Sequence, residues 1–331
     1  MPKISIITPC YNSDRYIGRT IASVQAQTLI DWEHIVVDDG SSDRSAEIVQ
    51  SYSASDPRIR LIQQPNGGVC KARNAGFAAA SQESDYLLFL DADDCLNPEM
   101  LETLTSHLDQ HSEVGLVYCN LTAVDENGAV LDVLLFPRCV PTPLGLRLLP
   151  NDHPETSFLS LLSATIIPSI TVLRRSIYEQ TTGWDEAFGQ GFEDYDLFLG
   201  VALQSQCHYL PQSLTDYRRH AQQFSVNSDK DHQEKKLYRK WITSASLTNE
   251  QKALFRSAYR LRVGRVIPYR GWLLGNRYVK RGDVLRAIRF YGGALRRYVW
   301  SLLPEDLAFA EIDKTIKALD NAMPENCKSG I

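Results

Sequence analysis

The sequence predicts an α/β fold in which a mostly parallel sheet is flanked by helices and followed by a helical C-terminal extension. Two observations carry this prediction. Short apolar or β-branched runs alternate with amphipathic stretches over the first half of the chain, and turn-forming or acidic residues follow the runs at their carboxyl ends. The chain has 331 residues, of which 44% are hydrophobic and 23% charged, enough for one large domain plus an appendage.

Five runs predict the strands of this sheet, with helices between them: 3–8, 32–37, 59–62, 87–90 and 114–120. The first helix has Ile17, Ile21 and Val24 on one face. Polar clusters follow the first four runs at Pro9-Cys10-Tyr11-Asn12, Asp38-Asp39, Asn66-Gly67-Gly68 and Asp91-Ala92-Asp93-Asp94. Because the carboxyl ends of parallel strands meet at one edge of a sheet, these clusters are expected to lie close together there.

The run 87–90 ends in three carboxylates, Asp91, Asp93 and Asp94. Anions this close repel one another unless a cation joins them, and oxygen ligands suit Mg²⁺ or Mn²⁺. The first hypothesis is therefore a strand that presents a divalent metal to a phosphate-bearing ligand. The alternative is an acidic turn that caps the helix after Pro98; Asp94 is interpreted as that cap.

Gly67-Gly68 opens a helix, and glycine-rich helix N-termini often bind phosphate. The residues match neither a P-loop nor a dinucleotide-binding motif, so a simple turn is the alternative. Lys71 and Arg73 follow in the first helical turn and offer cations to a diphosphate, whereas the other interpretation makes them a solvated helix face.

A second acidic cluster, Glu193, Asp194 and Asp196, opens a helix. Acidic residues in a first helical turn are stabilised by the helix dipole, so capping competes with a catalytic role. His220 follows a later strand-like run, and a lone histidine by itself is interpreted as structural or as a surface residue.

The seven cysteines are odd in number and form no C-x-x-C motif, which favours free thiols in a reducing cytoplasm. No signal peptide is recognisable at the N-terminus. The longest apolar stretch, 158–173, is too short and too polar to span a bilayer. A cytoplasmic location is expected.

A change in charge marks a predicted boundary between a catalytic domain, 1–229, and a C-terminal extension, 230–331. The sequence predicts helices over 233–244, 249–261, 272–280 and 283–300 of this extension. Between Lys230 and Trp300 there are 18 Lys and Arg against 4 Asp and Glu, and elsewhere 17 against 36. Two interpretations stay open: a peripheral contact with the inner face of the membrane, or a helical extension whose aromatics pack on the catalytic domain. Nucleic-acid binding is not expected, because no known module is present.

In their order, the motifs resemble those of the family 2 glycosyltransferases of bacterial cell-surface polysaccharide synthesis, over about the first 225 residues. The motifs are Ile6 to Asn12, Val37 to Asp43, Asn66 to Gly76, Asp91 to Asp94, Gly183-Trp184-Asp185-Glu186, Glu193-Asp194 and Tyr217-Arg218-Arg219-His220. The resemblance implies the GT-A fold, a Rossmann-like sheet. Phe192 stands where the family often has a glycine before the Glu, a mild departure.

The resemblance also implies roles. A nucleotide-sugar donor is expected to contact Pro9, Tyr11, Asn12, Asp39, Asn66, Gly68, Lys71, Arg73 and Asp91. Tyr11 stacks on its base, Asp39 accepts from the imide N–H, and Asp91 holds the ribose or a metal-bound water. The metal, Mn²⁺ or Mg²⁺, is expected at Asp93, with Asp91 and His220 as further candidates. Asp194 is expected to be the general base, with Glu193 as the weaker candidate and Asp196 as a nearby ambiguity.

The implied reaction is an inverting, metal-dependent transfer from a UDP- or dTDP-linked sugar to a hydroxyl of a glycan or lipid-linked acceptor. An apolar surround from Trp184, Phe188 and Phe192 is expected to raise the pKa of Asp194. The sugar and the acceptor are left undetermined, because the loosely patterned region 122–175 and the extension set them. The alternatives are a sugar nucleotidyltransferase, whose glycine-rich N-terminal loop is not found here, and a non-catalytic nucleotide-sugar-binding protein.

Overall fold

We analysed a computed structural model of the chain. The structure describes residues 1–134, 139–142, 145–148, 155–156, 161, 166–188, 191–220 and 230–261, together with the single helical positions 279, 284, 288, 291, 292 and 295. Within these residues, no helix combines the length and the apolarity that a membrane crossing requires.

Four parallel strands form one half of the main sheet: β1 (Ile4–Cys10), β2 (Trp32–Asp38), β3 (Ile59–Gln63) and β4 (Tyr86–Phe89). They lie in the order β4-β1-β2-β3. The helices between them are α1 (Ile17–Gln25), α2 (Ser45–Ser55) and α3 (Val69–Ala79). The strand–helix alternation predicted from the sequence is confirmed in this half.

The other half of the sheet is mixed. A strand, β11 (Thr171–Arg174), runs antiparallel to both of its neighbours, β4 and β6 (Val114–Val124). The long strand β12 (Gln206–Arg218) then pairs in parallel with β6. Shorter strands complete this half: β5 (Cys95–Leu96), β7 (Val130–Leu134) and β10 (Glu155–Thr156). The helix α4 (Met100–Gln110) precedes β6, and a separate pair of strands comprises β8 (Cys139–Thr142) and β9 (Gly145–Leu148).

Burial explains why these runs become strands. Every residue of β2 is buried, and β1 is buried except at Pro9, as expected for strands covered by helices on both faces. The predicted stripe of α1, Ile17, Ile21 and Val24, is fully buried. Helix α3 approaches the sheet so closely that a Cβ at Gly76 would lie 2.4 Å from Ile7 Cγ2.

The chain divides into two compact units. The first comprises Met1–Arg138 and Leu148–Leu237, and the second Cys139–Arg147 and Tyr238–Ile331. The division falls inside the helix Lys230–Thr243, close to the predicted domain boundary at 229/230, which stays a prediction. That helix and the next, Asn249–Leu261, confirm two predicted helices. Most of the predicted helices 272–280 and 283–300, and much of the region 122–175, lie outside the described residues.

In the second unit, stacked aromatic rings join these two helices. The Tyr238 ring lies 4.3 Å from that of Tyr259 and 5.8 Å from that of Phe255. Phe255 is fully buried, so aromatic side chains of the extension form a core of their own.

Candidate active site

Hydrogen bonds join the loops that follow β1 and β2. The Asn12 side-chain oxygen accepts from the backbone N–H of Ser42 at 2.9 Å, and the Asn12 N–H donates to the Ser41 hydroxyl at 2.9 Å. Asn12 takes a φ of +48°, a left-handed conformation that asparagine tolerates. Asn12 therefore fixes the loop, while its neighbour Tyr11 remains 53% exposed. That exposure leaves the Tyr11 ring accessible for stacking.

Asp39 is buried and organises the glycine turn. Its carboxylate accepts from the N–H groups of Gly67 and Gly68 at 2.9 and 2.8 Å and from the Gln64 amide at 2.6 Å. The Asn66 amide donates to the Asp39 carbonyl at 2.9 Å. A carboxylate offers about four acceptor positions, so three of them are occupied here and one remains for a ligand. The predicted contact with a base imide stays a prediction.

Replacing Asp39 with Asn is expected to lower the free energy of unfolding by about 1–3 kcal/mol, because the new NH₂ group would face a backbone N–H instead of accepting from it. Gly68 is held at φ +90° by this contact, so the turn should loosen as well. Urea unfolding without ligand measures the loss, and the exposed Glu47→Gln serves as control. An Asp39→Asn protein as stable as wild type would contradict the role of Asp39 in the turn.

Arg73 connects the two acidic clusters. Its guanidinium lies 2.8 Å from an Asp91 oxygen and 3.2 Å from a Glu193 oxygen, and it packs over the Trp184 ring at 4.2 Å. The side chain is only 3% exposed, so the solvated-face interpretation of Arg73 is wrong. Lys71, in the same turn of the helix, is exposed. Helix α3 thus places one cation inside the site and one at its surface.

The three carboxylates after β4 have different surroundings. The Asp91 carboxylate accepts a hydrogen bond from the Arg73 guanidinium at 2.8 Å, and the Asp91 N–H donates to the Ser169 hydroxyl at 3.1 Å. Burial raises the pKa of Asp91, Arg73 opposes the rise, and Asp93 adds to it. Ser169, which sequence reasoning missed, lies in an apolar stretch that carries no functional signal.

Asp94 is fully buried and accepts from the backbone N–H of Arg218 at 3.0 Å. Burial, followed by the charges of Asp93 and Asp91, raises its pKa well above the ordinary value. The interpretation of Asp94 as a helix cap is wrong, because Glu99 occupies the N-cap of α4 and no side chain caps it. Asp94 instead ties the β4 loop to the end of β12.

Asp93 and His220 form a pair. An Asp93 oxygen lies 2.8 Å from His220 Nε2, and the imidazole packs against the Tyr16 ring at 4.8 Å. Arg218 fixes the loop that carries Asp93, because its Nε donates a hydrogen bond to the Asp93 carbonyl at 3.0 Å. The Tyr217 to His220 motif therefore lies beside the acidic strand end, as the family resemblance implied.

This pair fits a divalent cation in its chemistry. A carboxylate oxygen and an imidazole nitrogen are both ligands of Mn²⁺, and the oxygen alone suits Mg²⁺. His220 Nδ1 is buried without a hydrogen-bond partner among the described residues, so Nε2 and the Asp93 oxygen are the groups that would hold the ion. No group of three or more His, Cys, Asp or Glu side chains in the described part of the chain is arranged around a metal. A bound ion would therefore need ligands from elsewhere, such as a diphosphate.

Glu193 and Asp194 open the helix Glu193–Gln204. The two Glu193 oxygens are engaged by Arg73 and, at 2.7 Å, by the Gly191 N–H. Asp194 accepts from the N–H of Tyr195 at 2.7 Å. Its side chain is partly buried, whereas Asp196 is 2% exposed and belongs to the core side of the helix. Asp194 is thus the more accessible of these two aspartates.

Burial raises the pKa of Asp194 from 3.8 to about 7, and the neighbouring Glu193 charge adds to the rise. The hydrogen bond from the Tyr195 N–H and the charge of Arg73 lower the pKa of Asp194 and so oppose this rise. A carboxylate with this pKa can take up a proton near neutral pH, which is the property a general base needs.

Phe192 precedes this pair with a φ of +69°, in the left-handed region that favours glycine. A bulky residue there carries backbone strain of about 1 kcal/mol or more. This explains physically why a glycine is common at this position in the family that the sequence resembles.

The arrangement defines the class of protein: an α/β fold of the GT-A type with an acidic site at the carboxyl ends of its parallel strands. Crystal structures of Staphylococcus aureus TarS share this fold. One has a TM-score of 0.62 and 21% identity, covering 96% of this chain and 54% of TarS. A complex of TarS 1–349 with UDP-GlcNAc gives 0.61 and 20%, covering 92% and 85%.

The family follows from the sequence comparisons. The model of glycosyl transferase family 2 matches residues 5–182, and the chain belongs to that family. It is 43% identical over 161 residues to the uncharacterized glycosyltransferase EpsJ of Bacillus subtilis. It is 28% identical over 204 residues to the chondroitin synthase of Pasteurella multocida. The matched parts are 48% and 61% of this chain, but only 46% of EpsJ and 19% of the synthase.

Proposed function

We propose that the chain is an inverting glycosyltransferase that moves a sugar from a UDP- or dTDP-linked donor to a hydroxyl of a glycan or lipid-linked acceptor. The observation that carries the proposal is Asp194, whose pKa burial raises to about 7, next to Glu193, which the buried Arg73 joins to Asp91 at the strand end. Membership of glycosyl transferase family 2 supports it. So do the TarS complex with UDP-GlcNAc and the similarity to a chondroitin synthase.

In this proposal the donor lies along the strand ends. The exposed Tyr11 ring stacks on the base, and Pro9, Asn12, Asp39, Asn66 and Gly68 form the rest of the nucleotide site. Asp91 contacts the ribose, while Lys71 and Arg73 supply positive charge near the diphosphate. The Asp93–His220 pair would hold Mn²⁺ or Mg²⁺, and such an ion, when bound, stabilises negative charge on the leaving diphosphate.

The chemical step needs a base on the side opposite the leaving group. Asp194 takes the proton of the acceptor hydroxyl as its oxygen attacks the anomeric carbon, and the bond to the diphosphate breaks. Since one displacement reverses the configuration at that carbon, the product is inverted, by analogy with inverting glycosidases. Arg73 holds Glu193 and Asp91 on either side of this arrangement and so limits the negative charge that Asp194 meets.

A release assay on a panel of labelled nucleotide sugars with Mn²⁺ tests the proposal. A glycosyltransferase is expected to release the nucleoside diphosphate from one of them, faster with its acceptor present. With pyrophosphate added, a nucleotidyltransferase would instead convert the nucleotide sugar into the nucleoside triphosphate and the sugar 1-phosphate. A non-catalytic binding protein would bind a donor without turnover. Absence of nucleoside diphosphate release from every donor that binds would contradict the proposal.

We also propose a cytoplasmic location for this activity. The thiols of Cys10, Cys95, Cys119 and Cys207 form no disulfides, and such thiols are typical of a reducing compartment.

A further inference from the structure

Three described helical positions of the second compact unit expose apolar side chains. Val284, Ile288 and Leu295 are helical and are 58, 61 and 65% exposed. Tyr291, also helical, is partly buried. On the helix that the sequence predicts over 283–300, at about 100° per residue, these four positions fall within an arc of roughly 60° and so form one stripe.

Single exposed apolar residues are common on protein surfaces, but a row of them is not. From Val284 to Leu295 the stripe extends over roughly 17 Å at the rise of an α-helix. Its members are two β-branched aliphatic residues, a leucine and a tyrosine, and exposing their apolar surface to water is unfavourable. The stripe therefore indicates a surface that another apolar phase covers.

The charged residues in the sequence around the stripe indicate which apolar phase covers it. Between positions 279 and 297 the sequence has six basic residues and one acidic residue, Asp283; the basic residues are Lys280, Arg281, Arg286, Arg289, Arg296 and Arg297. A second copy of the same surface would bring like charges together. An anionic lipid surface instead attracts the arginines and accepts the aliphatic side chains.

We propose that the stripe formed by Val284, Ile288, Tyr291 and Leu295 docks the protein on an anionic lipid bilayer, with the helix lying in the plane of the surface. The apolar side chains would lie at the boundary between the lipid headgroups and the acyl chains. The inference rests on the exposure and charge of the extension and does not depend on the proposed glycosyl transfer.

Co-sedimentation of the full-length protein with lipid vesicles tests the inference. The protein is expected to bind vesicles that contain phosphatidylglycerol and to bind pure phosphatidylcholine vesicles much more weakly. Raising the salt from about 0.1 M to about 0.5 M should weaken the binding, because it screens the arginines. The double variant Ile288→Gln with Leu295→Gln is expected to lower the partition coefficient about tenfold or more.

Ile30→Gln is the matched control, since Ile30 is 69% exposed in the other compact unit and lies off the stripe. It should bind vesicles as wild type does, and equal unfolding midpoints for all variants would show that they fold. Failure of wild type to bind anionic vesicles would overturn the inference. Loss of a dimer in the double variant, with vesicle binding unchanged, would also overturn it and assign the stripe to a second copy. Nucleotide release without vesicle binding would leave the proposed function intact.

Discussion

Replacing Asp194 with Asn is expected to lower the rate of transfer by about 10²- to 10⁴-fold while donor affinity stays within about twofold of wild type. Asn keeps the shape of the side chain and can still accept from the Tyr195 N–H, but it cannot take up the proton of an acceptor hydroxyl. Steady-state rates together with a calorimetric titration of the donor separate the two effects.

The same substitution should make the protein more stable in alkaline solution. Because the folded-state pKa of about 7 exceeds the ordinary 3.8, folding disfavours the ionised Asp194. This cost is absent below the unfolded pKa, grows as the pH rises, and is complete above about pH 7. Each pKa unit corresponds to about 1.4 kcal/mol, and the partial exposure of the side chain reduces the total to about 1–3 kcal/mol.

Urea unfolding of Asp194→Asn and wild type, both in EDTA, should therefore differ more at pH 8 than at pH 5.5. Glu193→Gln is the matched comparison, because Glu193 is adjacent but engaged by Arg73 and the Gly191 N–H. It should lose about tenfold in rate at most. If Glu193→Gln abolished transfer and Asp194→Asn did not, the roles of the two carboxylates would be reversed.

Replacing Arg73 with Met is expected to lower the free energy of unfolding at pH 7 by about 2–4 kcal/mol. Removing one partner of a buried ion pair typically costs about 3–5 kcal/mol, and we lower the figure because Asp91 is 31% exposed. The loss arises because Asp91 and Glu193 would keep their charges without a cation between them. Urea unfolding in EDTA measures it.

The loss of unfolding free energy caused by Arg73→Met should be smaller at lower pH. Because Arg73 lowers the pKa of Asp91, its removal raises that pKa, and protonation of Asp91 at lower pH relieves the repulsion. Adding Glu193→Gln to Arg73→Met should likewise restore part of the stability. Arg15→Met is the control, since Arg15 is 58% exposed in its ion pair with Glu126 and such pairs contribute about 0–1 kcal/mol. Equal losses for Arg15→Met and Arg73→Met would contradict the bridging role.

The parts of the fold that follow from local pattern could be predicted. The runs that became β1 and β2 are apolar because helices cover both faces of the sheet, and the apolar face of α1 shows as a helical periodicity. The family and the GT-A fold were likewise identified from the order of short motifs, each of them weak by itself.

Tertiary contacts could not be predicted in this way. Insertion of β11 between β4 and β6 makes the sheet mixed, and nothing in the four residues of that strand specifies an antiparallel neighbour. The burial of Arg73 depends on Trp184 and Glu193, which are more than a hundred positions away. Asp94 looked like a cap because its true partner, the Arg218 N–H, is equally distant.

The assignment of individual residues stays a prediction, and the Asp93–His220 pair is where it can be tested most directly. The measurement is a calorimetric titration of the nucleotide sugar that the release assay selects, with Mn²⁺ present or chelated, into wild type and Asp93→Ala. We expect saturable binding to wild type that requires Mn²⁺, and we expect Asp93→Ala to lose this binding. Undiminished, Mn²⁺-dependent binding by Asp93→Ala would contradict the placement of donor and metal at this strand end.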